Sequence, residues 1–329
     1  MVVKACRCSS RRSPAQGRKS RSWSRRSPPW KTCSSLRPAA PWLRIRADCR
    51  PPMDIHSGLY VTIASARMRF TTITRYPGQV VTDILVPIVF AAMPILLGRS
   101  SAGPDPGEVF AQNTGTSNYV AYMLIGSSVF TIVSFAFWHI AYWLRWEQEA
   151  GTLESLYLAP THRVWVAAGT ALYSCLRSLF SALVAYLLGS TLLRVNPFQG
   201  ELGIAVLFIL VGLLPVYSLA LLFGALILKV KEANALVGLM QWAVSFLMGV
   251  FFPVAVFPPL LKAIALLFPP TWMTNGVRSA LLGVGFFFGA WYRDLAVLWT
   301  FLVITPLAAY WIFSRVEVQV RRHEGVGQF

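Results

Sequence analysis

Long apolar runs with few formal charges limit what this chain of 329 residues can fold into. A helix that crosses a bilayer needs about 20 mainly apolar residues. Six segments reach that length: Val80–Gly98, Tyr119–Trp143, a stretch within Val164–Leu193, Leu202–Leu228, Ala233–Phe257 and Leu295–Ser314. Only 13% of the residues are charged, about half the fraction of a typical soluble domain. The sequence therefore predicts an all-α integral membrane protein with six transmembrane helices.

Residues 258–291, between the fifth and sixth predicted spans, are apolar but too interrupted to form another crossing. Two Pro-Pro pairs flank the nine-residue stretch LLKAIALLF, and the following piece carries Arg278 and four glycines. Apolar pieces this short favour a re-entrant or interfacial element over a full crossing. We therefore predict a re-entrant external hairpin between spans five and six.

The distribution of Lys and Arg predicts the orientation, because basic residues collect in cytoplasmic loops. With the N-terminus inside, the inner segments hold ten basic residues: Arg67, Arg69, Arg75, Arg145, Arg163, Lys229, Lys231, Arg315, Arg321 and Arg322. The outer segments hold five: Arg99, Arg194, Lys262, Arg278 and Arg293. We therefore expect a multi-pass protein of the plasma or inner membrane with both termini in the cytoplasm.

Residues 1–52 differ in composition from the rest of the chain. They hold 14 Lys and Arg against the single acid Asp48, and four of the five cysteines. A segment rich in Arg, Ser and Pro buries too little apolar surface to fold alone. Such a tract also suits binding of RNA or anionic lipid or an organelle transit peptide. We interpret it as a disordered segment upstream of a misassigned start, with Met53 as the start.

Residues 53–79 precede the first span and have the pattern of an amphipathic helix. Apolar side chains recur at helical spacing, with Arg67 and Arg69 nearby: Ile55, Leu59, Ile63, Ala66 and Phe70. This arrangement is typical of a helix that lies in the inner membrane interface. Pro77-Gly78 separates it from the first span, and the transmembrane domain then occupies residues 80–329.

The acidic stretch EQEAGTLESLYLAP, residues 147–160, lies between the second and third predicted spans. Trp146, Ala150, Leu153 and Tyr157 repeat every three or four residues, which predicts a helix over Trp146–Leu158. Glu147 and Glu149 lie in its first half, where the helix dipole favours negative charge. A minimal connector needs only a few residues, so this one is expected to offer a face to a soluble partner.

This stretch resembles the cytoplasmic signature E-x-E-x-G-T-L-E-x-L-x-L-A-P of ABC-2 type transporter permeases, the membrane subunits of ATP-driven exporters. A second patch, residues 246–283, is similar to the segment of that family that leads from span five into its external hairpin. There a G-x-F-F-P-x-x-x-x-P run precedes P-x-x-W/Y-x-x-x-x-x-R, which ends here at Arg278. With the six spans, the resemblance covers about residues 54–320.

The resemblance implies an ABC-2 permease subunit that pairs with a second permease chain as a homo- or heterodimer. The loop of about residues 145–163 would dock on a cytoplasmic ATPase subunit, which would hold the ATP. The residues that carry this coupling role by resemblance are Glu147, Glu149, Gly151, Thr152, Leu153, Glu154 and Tyr157. Export is implied, with drugs, lipids, polysaccharides or small metabolites as cargo classes.

Two ionisable residues fall inside predicted spans, Asp83 in the first and Arg177 in the third. Such residues usually face the bundle interior or a water-filled cavity. We predict a possible intramembrane polar site at these two residues, in which Arg177 contacts an anionic headgroup or pairs with an acid such as Asp83. Gln241, Ser127, Ser128 and Thr131 are predicted to form hydrogen bonds between helices.

Several classes of function have no matching motif. The chain has no G-x-x-x-x-G-K-[ST] phosphate loop, so we expect no ATPase site, no catalytic residues and no cofactor in the chain. Four scattered histidines predict no metal site, and we expect membrane lipids but no nucleic acid as partners. An ion-gradient-driven secondary transporter or a membrane scaffold remains the alternative. The first usually needs several intramembrane carboxylates, and the second leaves the acidic stretch unexplained.

Overall fold

The computed structural model describes residues 55–101, 106–151, 163–198, 200–227 and 233–323. These residues form α-helices, one π-helical turn and one 3-10 turn, and contain no strand. The predicted basic segment 1–52 and residues 152–162 lie outside the described residues. The prediction of an all-α membrane fold is confirmed.

The first half of the described chain contains α1 (Ile55–Ile73), α2 (Pro77–Ser101), α3 (Pro106–Thr114), α4 (Tyr119–Ala136), α5 (Trp143–Glu149) and α6 (Arg163–Leu192). A π-helical turn over Phe137–Ala141 extends α4. The second half contains α7 (Leu202–Ile227), α8 (Ala233–Leu247), α9 (Pro259–Leu266), α10 (Pro269–Leu282) and α11 (Trp291–His323).

Five helices within the described residues are long and apolar enough to cross a membrane. They are Pro77–Gly98, Tyr119–Ala141, Val164–Leu192, Leu202–Ile227 and Trp291–Phe313. Each coincides within a few residues with a span predicted from the sequence. By their length and composition, these five helices make the chain a multi-pass membrane protein.

The predicted fifth span, Ala233–Phe257, is shorter in the structure than the sequence indicated. Helix α8 ends at Leu247 after 15 residues, about 22 Å at the usual rise per residue. Gly249 adopts a φ of +64°, a left-handed conformation that ends a helix and suits glycine. The described part of this segment is therefore too short for a standard crossing, and the count of six spans stays a prediction.

Helix α4 forms the centre of the bundle. Of its most apolar window, 94% is buried, against 17% to 44% for the other four candidate spans. It packs against α2, α6 and α10, and its π-helical turn packs against α7. Almost none of this window faces lipid or water, so a charge on it would be buried, which explains why the span Tyr119–Trp143 carries no formal charge.

Helices α9 and α10 occupy the region of the predicted re-entrant hairpin. They contain 8 and 14 residues, lengths of about 12 and 21 Å, so neither crosses a bilayer. Trp272 Nε1 donates a hydrogen bond to the Leu266 carbonyl at 2.8 Å and holds the two helices together. This geometry is compatible with the predicted hairpin, whose depth in the membrane remains a prediction.

Arg278 of α10 fastens this helix pair to the bundle. Its side chain is buried, with 2% exposure, and donates hydrogen bonds to the carbonyls of Tyr122, Gly249 and Val250. The guanidinium also lies 3.7 Å from the centroid of the Tyr122 ring. Three carbonyl dipoles and an aromatic face thus take the place of a carboxylate partner.

We expect Arg278→Ala to lower the free energy of unfolding by about 3 kcal/mol, because it leaves buried carbonyls without donors and opens a cavity. The measurement is chemical unfolding of the purified chain in detergent micelles. Arg293→Ala is the matched control, since Arg293 is an exposed arginine near the start of α11, and should cost less than about 0.5 kcal/mol. Equal losses in the two variants would contradict the role of Arg278.

Candidate functional site

The acidic residues predicted for coupling begin on α5. Glu147 and Glu149 lie in this seven-residue helix, which starts at Trp143 rather than at Trp146. Gly151 follows in a turn with a φ of +69°. The described part of the helix predicted over Trp146–Leu158 therefore ends before Gly151, because a left-handed residue cannot continue a right-handed helix. Thr152, Leu153, Glu154 and Tyr157 lie outside the described residues.

Glu147 connects α5 to α1. Its Oε1 accepts a hydrogen bond from Arg69 Nη2 at 2.8 Å and one from Trp143 Nε1 at 3.3 Å. The two charged side chains are 23% and 15% exposed, and the Arg69 guanidinium lies 5.5 Å from the centroid of the Trp146 ring. Burial lowers the pKa of the Arg69 guanidinium from its usual value, and the nearby Glu147 carboxylate opposes that change.

Glu149 forms its described contacts within its own segment. Its carboxylate accepts from the Tyr142 hydroxyl at 2.7 and 2.9 Å and from Arg145 Nε at 3.2 Å. Burial, together with the neighbouring Glu149 carboxylate, raises the pKa of the Tyr142 phenol above its usual 10.0. The phenol donates this hydrogen bond to the Glu149 carboxylate. The Glu149 side chain is 47% exposed, which leaves part of it accessible to a partner.

Helix α1 also contacts the third span. Thr62 Oγ1 donates to the Trp165 carbonyl of α6 at 3.1 Å, and Ser65 Oγ donates to the Val166 carbonyl at 3.4 Å. The predicted apolar stripe of α1 is divided. Leu59 and Ile63 are 48% and 61% exposed, whereas Ala66 is buried and the Phe70 ring lies 4.9 Å from the Tyr173 ring of α6. Helix α1 thus contacts the elements on both sides of residues 152–162, while Leu59 and Ile63 remain available to lipid.

Asp83 and Arg177, the two ionisable residues predicted inside spans, form an ion pair between α2 and α6. Arg177 Nε donates to Asp83 Oδ2 at 2.8 Å, and Nη2 donates to the same oxygen. Arg177 Nη1 donates to the Tyr173 hydroxyl at 2.8 Å, and the guanidinium lies 5.3 Å from the Phe135 ring centroid. Of the two partners foreseen for Arg177, the structure contains the acid. A functional role for the pair stays a prediction.

The two ion pairs line one cavity of about 620 Å³, which we call the ion-pair cavity. It lies among α1, α2, the π-helical turn, α5 and α6. Its lining residues include Met68, Arg69, Thr72, Gly78, Gln79, Thr82, Asp83, His139, Trp146, Glu147, Tyr173 and Arg177. A π-helical turn shifts the register of the residues that follow it and is frequent at functional sites. Here that turn carries His139, whose Nδ1 lies 3.2 Å from the Phe135 carbonyl.

Other predicted polar contacts have a mixed outcome. Gln241 of α8 bonds to α4 and its π-helical turn, through Ser134 Oγ at 2.8 Å and Trp138 Nε1 at 2.5 Å. Ser127, Ser128 and Thr131 instead donate to carbonyls of their own helix, so predicting interhelical bonds for them was wrong. Serine and threonine hydroxyls in a helix often donate to a carbonyl of the preceding turn in this way.

Among the described residues, no group of three or more His, Cys, Asp or Glu could hold a metal ion.

Sequence reasoning did not assign Arg69, Tyr142 or Tyr173 to a site. Arg69 was noticed only as an inner basic residue, and nothing in the sequence links it to Glu147, 78 positions away. Tyr142 lies seven residues before Glu149 and looks like an aromatic residue at the end of a span. Only Tyr173 had a local signal, because it lies four residues before Arg177 on one helix face.

The all-α bundle of this chain, with several apolar spans and ionisable side chains paired between them, is the architecture of a multi-pass membrane protein. Its acidic segment connects the second span to the third. Comparison with known families identifies the class more closely. The ABC-2 type transporter family matches residues 61–282, well over half of the chain. The chain belongs to this family and is a permease subunit of an ABC-type transporter. Comparison with curated proteins gives no significant match.

We expect the contact between Arg69 and Glu147 to be a net stabilising interaction. Arg69→Glu and Glu147→Arg should each destabilise the chain, and the charge-exchanged double variant should recover about 1 kcal/mol relative to additivity. The measurement is a double-mutant cycle of thermal unfolding in detergent micelles. Arg75→Glu, at an exposed arginine in the turn that follows α1, combined with Glu147→Arg is the control and should give additive effects. Additivity for both combinations would show that the contact contributes nothing to stability.

Proposed function

We propose that this chain is the permease of an ABC exporter whose residues 145–163 dock on a cytoplasmic ATPase subunit. The single observation that carries the proposal is the position of α5. The motif acids Glu147 and Glu149 lie on this helix, and one of them is bonded to α1 through Arg69. A displacement imposed on α5 would therefore reach α1 through a charged hydrogen bond and reach α4 through the chain itself.

The structure changes the role that the sequence suggested for the motif acids. The resemblance gave both acids the same role, coupling to the ATPase subunit. Glu147 instead contacts Arg69 and Trp143, so we assign it to holding α5 against the bundle. Glu149, with its side chain 47% exposed, is the better candidate for a direct contact with the partner. In this proposal Glu149 contacts the moving ATPase subunit, and Glu147 transmits the displacement of α5 to α1.

The remaining parts of the proposal follow from the family and the charge distribution. ATP binds to the partner subunit, the cargo moves outward, and two permease chains form the complete membrane domain. The bias of Lys and Arg toward the segments on the α5 side supports cytoplasmic termini in the plasma or inner membrane. Exposed apolar side chains on α2, among them Val81, Leu85 and Met93, offer surface to lipid or to the second chain.

The test is ATP hydrolysis by a candidate cytoplasmic ATPase reconstituted with this chain in proteoliposomes. We expect the native chain to stimulate hydrolysis and Glu149→Arg to reduce that stimulation roughly five- to tenfold, since coupling between sites typically amounts to 1–3 kcal/mol. Arg293→Glu, at an exposed position at the start of α11, is the matched charge-reversal control and should behave like the native chain. Stimulation that survives in Glu149→Arg would remove this residue from the coupling contact. With an ATPase known to be competent for other permeases, no stimulation by the native chain would contradict docking of that ATPase on residues 145–163.

The proposed transmission through α1 makes a separate prediction. Arg69→Gln should leave binding of the ATPase intact but reduce stimulated hydrolysis severalfold, because α5 loses its charged contact with α1. Co-purification with the ATPase measures binding, and phosphate release measures coupling. Arg75→Gln, in the exposed turn that follows α1, is the control and should change neither. Loss of binding and stimulation together in Arg69→Gln would place Arg69 in the docking surface instead.

A further inference from the structure

The ion-pair cavity has the size and the polar lining of a ligand site. Its volume of about 620 Å³ falls within the range of roughly 300–1,000 Å³ common for small-molecule pockets. Five separate elements contribute to its wall, and the polar groups converge from four helices. We propose that this cavity binds the zwitterionic headgroup of an amphiphile, a phosphate joined to a primary ammonium as in a phosphoethanolamine lipid.

The charges of the lining favour a zwitterion over a simple ion. Two guanidinium groups, Arg69 and Arg177, and two carboxylates, Asp83 and Glu147, face the cavity in two preformed pairs. A lone anion entering this space meets two carboxylates, and a lone cation meets two guanidinium groups. A molecule that carries both charges can place its phosphate at a guanidinium and its ammonium at a carboxylate, so that no buried charge is left unpaired.

The ion pairs retain hydrogen-bonding capacity for a ligand. Arg177 has five N–H donors, of which three act in its bonds to Asp83 and Tyr173. Both bonds to Asp83 go to Oδ2, and Oδ1 has no hydrogen-bond partner among the described residues. The aromatic rings of Trp146 and Phe135 contact the guanidinium groups of Arg69 and Arg177. Such stacking orients the planar groups and leaves their edges to donate to an anionic headgroup.

The surroundings of the cavity favour an amphiphile over a free headgroup. Met68 of the lining is 71% exposed. On α2, Val86 lies three and four residues after the lining residues Asp83 and Thr82, on the same helix face, and is 56% exposed. These apolar surfaces flank a polar cavity beside α1, the helix predicted to lie in the membrane interface. A lipid with its headgroup in the cavity would thus place its acyl chains against these apolar side chains, where burial of the chains adds to affinity.

A ligand here would contact the element proposed for coupling. Glu147 lies both on α5 and in the cavity wall, so an ammonium group at its carboxylate competes with Arg69. Occupancy of the cavity would then alter the contact between α5 and α1. This consequence rests on the proposed function, whereas binding itself does not.

Binding is measured by isothermal titration of the purified chain in dodecyl maltoside, with no ATPase present. The probes are dihexanoyl-phosphatidylethanolamine, dihexanoyl-phosphatidylglycerol, dihexanoylglycerol and soluble phosphoethanolamine. We expect the phosphatidylethanolamine to bind at least about tenfold more tightly than each of the others, the equivalent of one good ionic contact. Equal affinity for the phosphatidylglycerol would contradict recognition of a zwitterionic headgroup. Equal affinity for soluble phosphoethanolamine would contradict a contribution from the acyl chains.

A cavity-filling variant tests the location without removing a charge. Gly78 lines the cavity, and a Cβ added there meets nothing within 4 Å, so Gly78→Phe should fold and reduce affinity at least about tenfold. Gly203→Phe is the matched control, because Gly203 is also the second residue of an apolar helix with open space around its Cβ. Its affinity should equal that of the native chain. Unchanged binding in Gly78→Phe would place the lipid elsewhere.

Asp83→Asn tests the chemistry of the same site. It keeps the shape of the side chain and removes its charge, so the preference for phosphatidylethanolamine over phosphatidylglycerol should fall at least about tenfold. An unchanged preference in a folded Asp83→Asn protein would overturn the ionic recognition. Since every titration omits the ATPase, a failed coupling assay leaves these results intact, and failed binding leaves the coupling proposal intact.

Discussion

The enclosure of α4 is the constraint on which the rest of the bundle depends. This helix is buried over 94% of its most apolar window, and α2, α6 and α10 pack directly on it. Dispersion and close packing, rather than a hydrophobic driving force, hold helices together in lipid. The central helix therefore consists of apolar and small polar residues, and its hydroxyl groups bond to carbonyls of the same helix. Charged groups can then appear only at its ends and on the helices around it.

The charges that are buried each have a specific compensation. Arg278 donates to three backbone carbonyls and stacks on Tyr122, while Arg177 pairs with Asp83 and Tyr173. An uncompensated ion in a low-dielectric interior costs several kcal/mol, so each pairing selects one arrangement of the helices that contribute to it. Arg278 joins α10 to α4 and to the turn after α8. The pair of Asp83 and Arg177 joins α2 to α6.

The contact between Arg69 and Glu147 links this scaffold to function. It fastens α5 to α1, which in turn bonds to α6 through Thr62 and Ser65. The acidic connection between the second and third spans is therefore braced on both sides by one helix. Because the same carboxylate lies in the wall of the ion-pair cavity, docking of a partner and binding of a ligand would act on a shared group. Both proposals converge on Glu147 for this reason.

The sequence by itself determined the class of fold, the positions of five long apolar helices and the family, because these depend on composition, length and local motifs. Span ends agree within a few residues wherever a run of apolar residues is uninterrupted. For Arg177 the sequence offered Asp83 as one of two kinds of partner, and the structure contains that pair. Only the tertiary structure decided that Arg69 meets Glu147 across 78 positions and that Arg278 meets the Tyr122 carbonyl across 156. It also decided where α8 and α5 end, since the left-handed Gly249 and Gly151 follow them. Partner choice is set by how helices pack in space, and hydrophobic periodicity carries no information on the distance between residues on different helices.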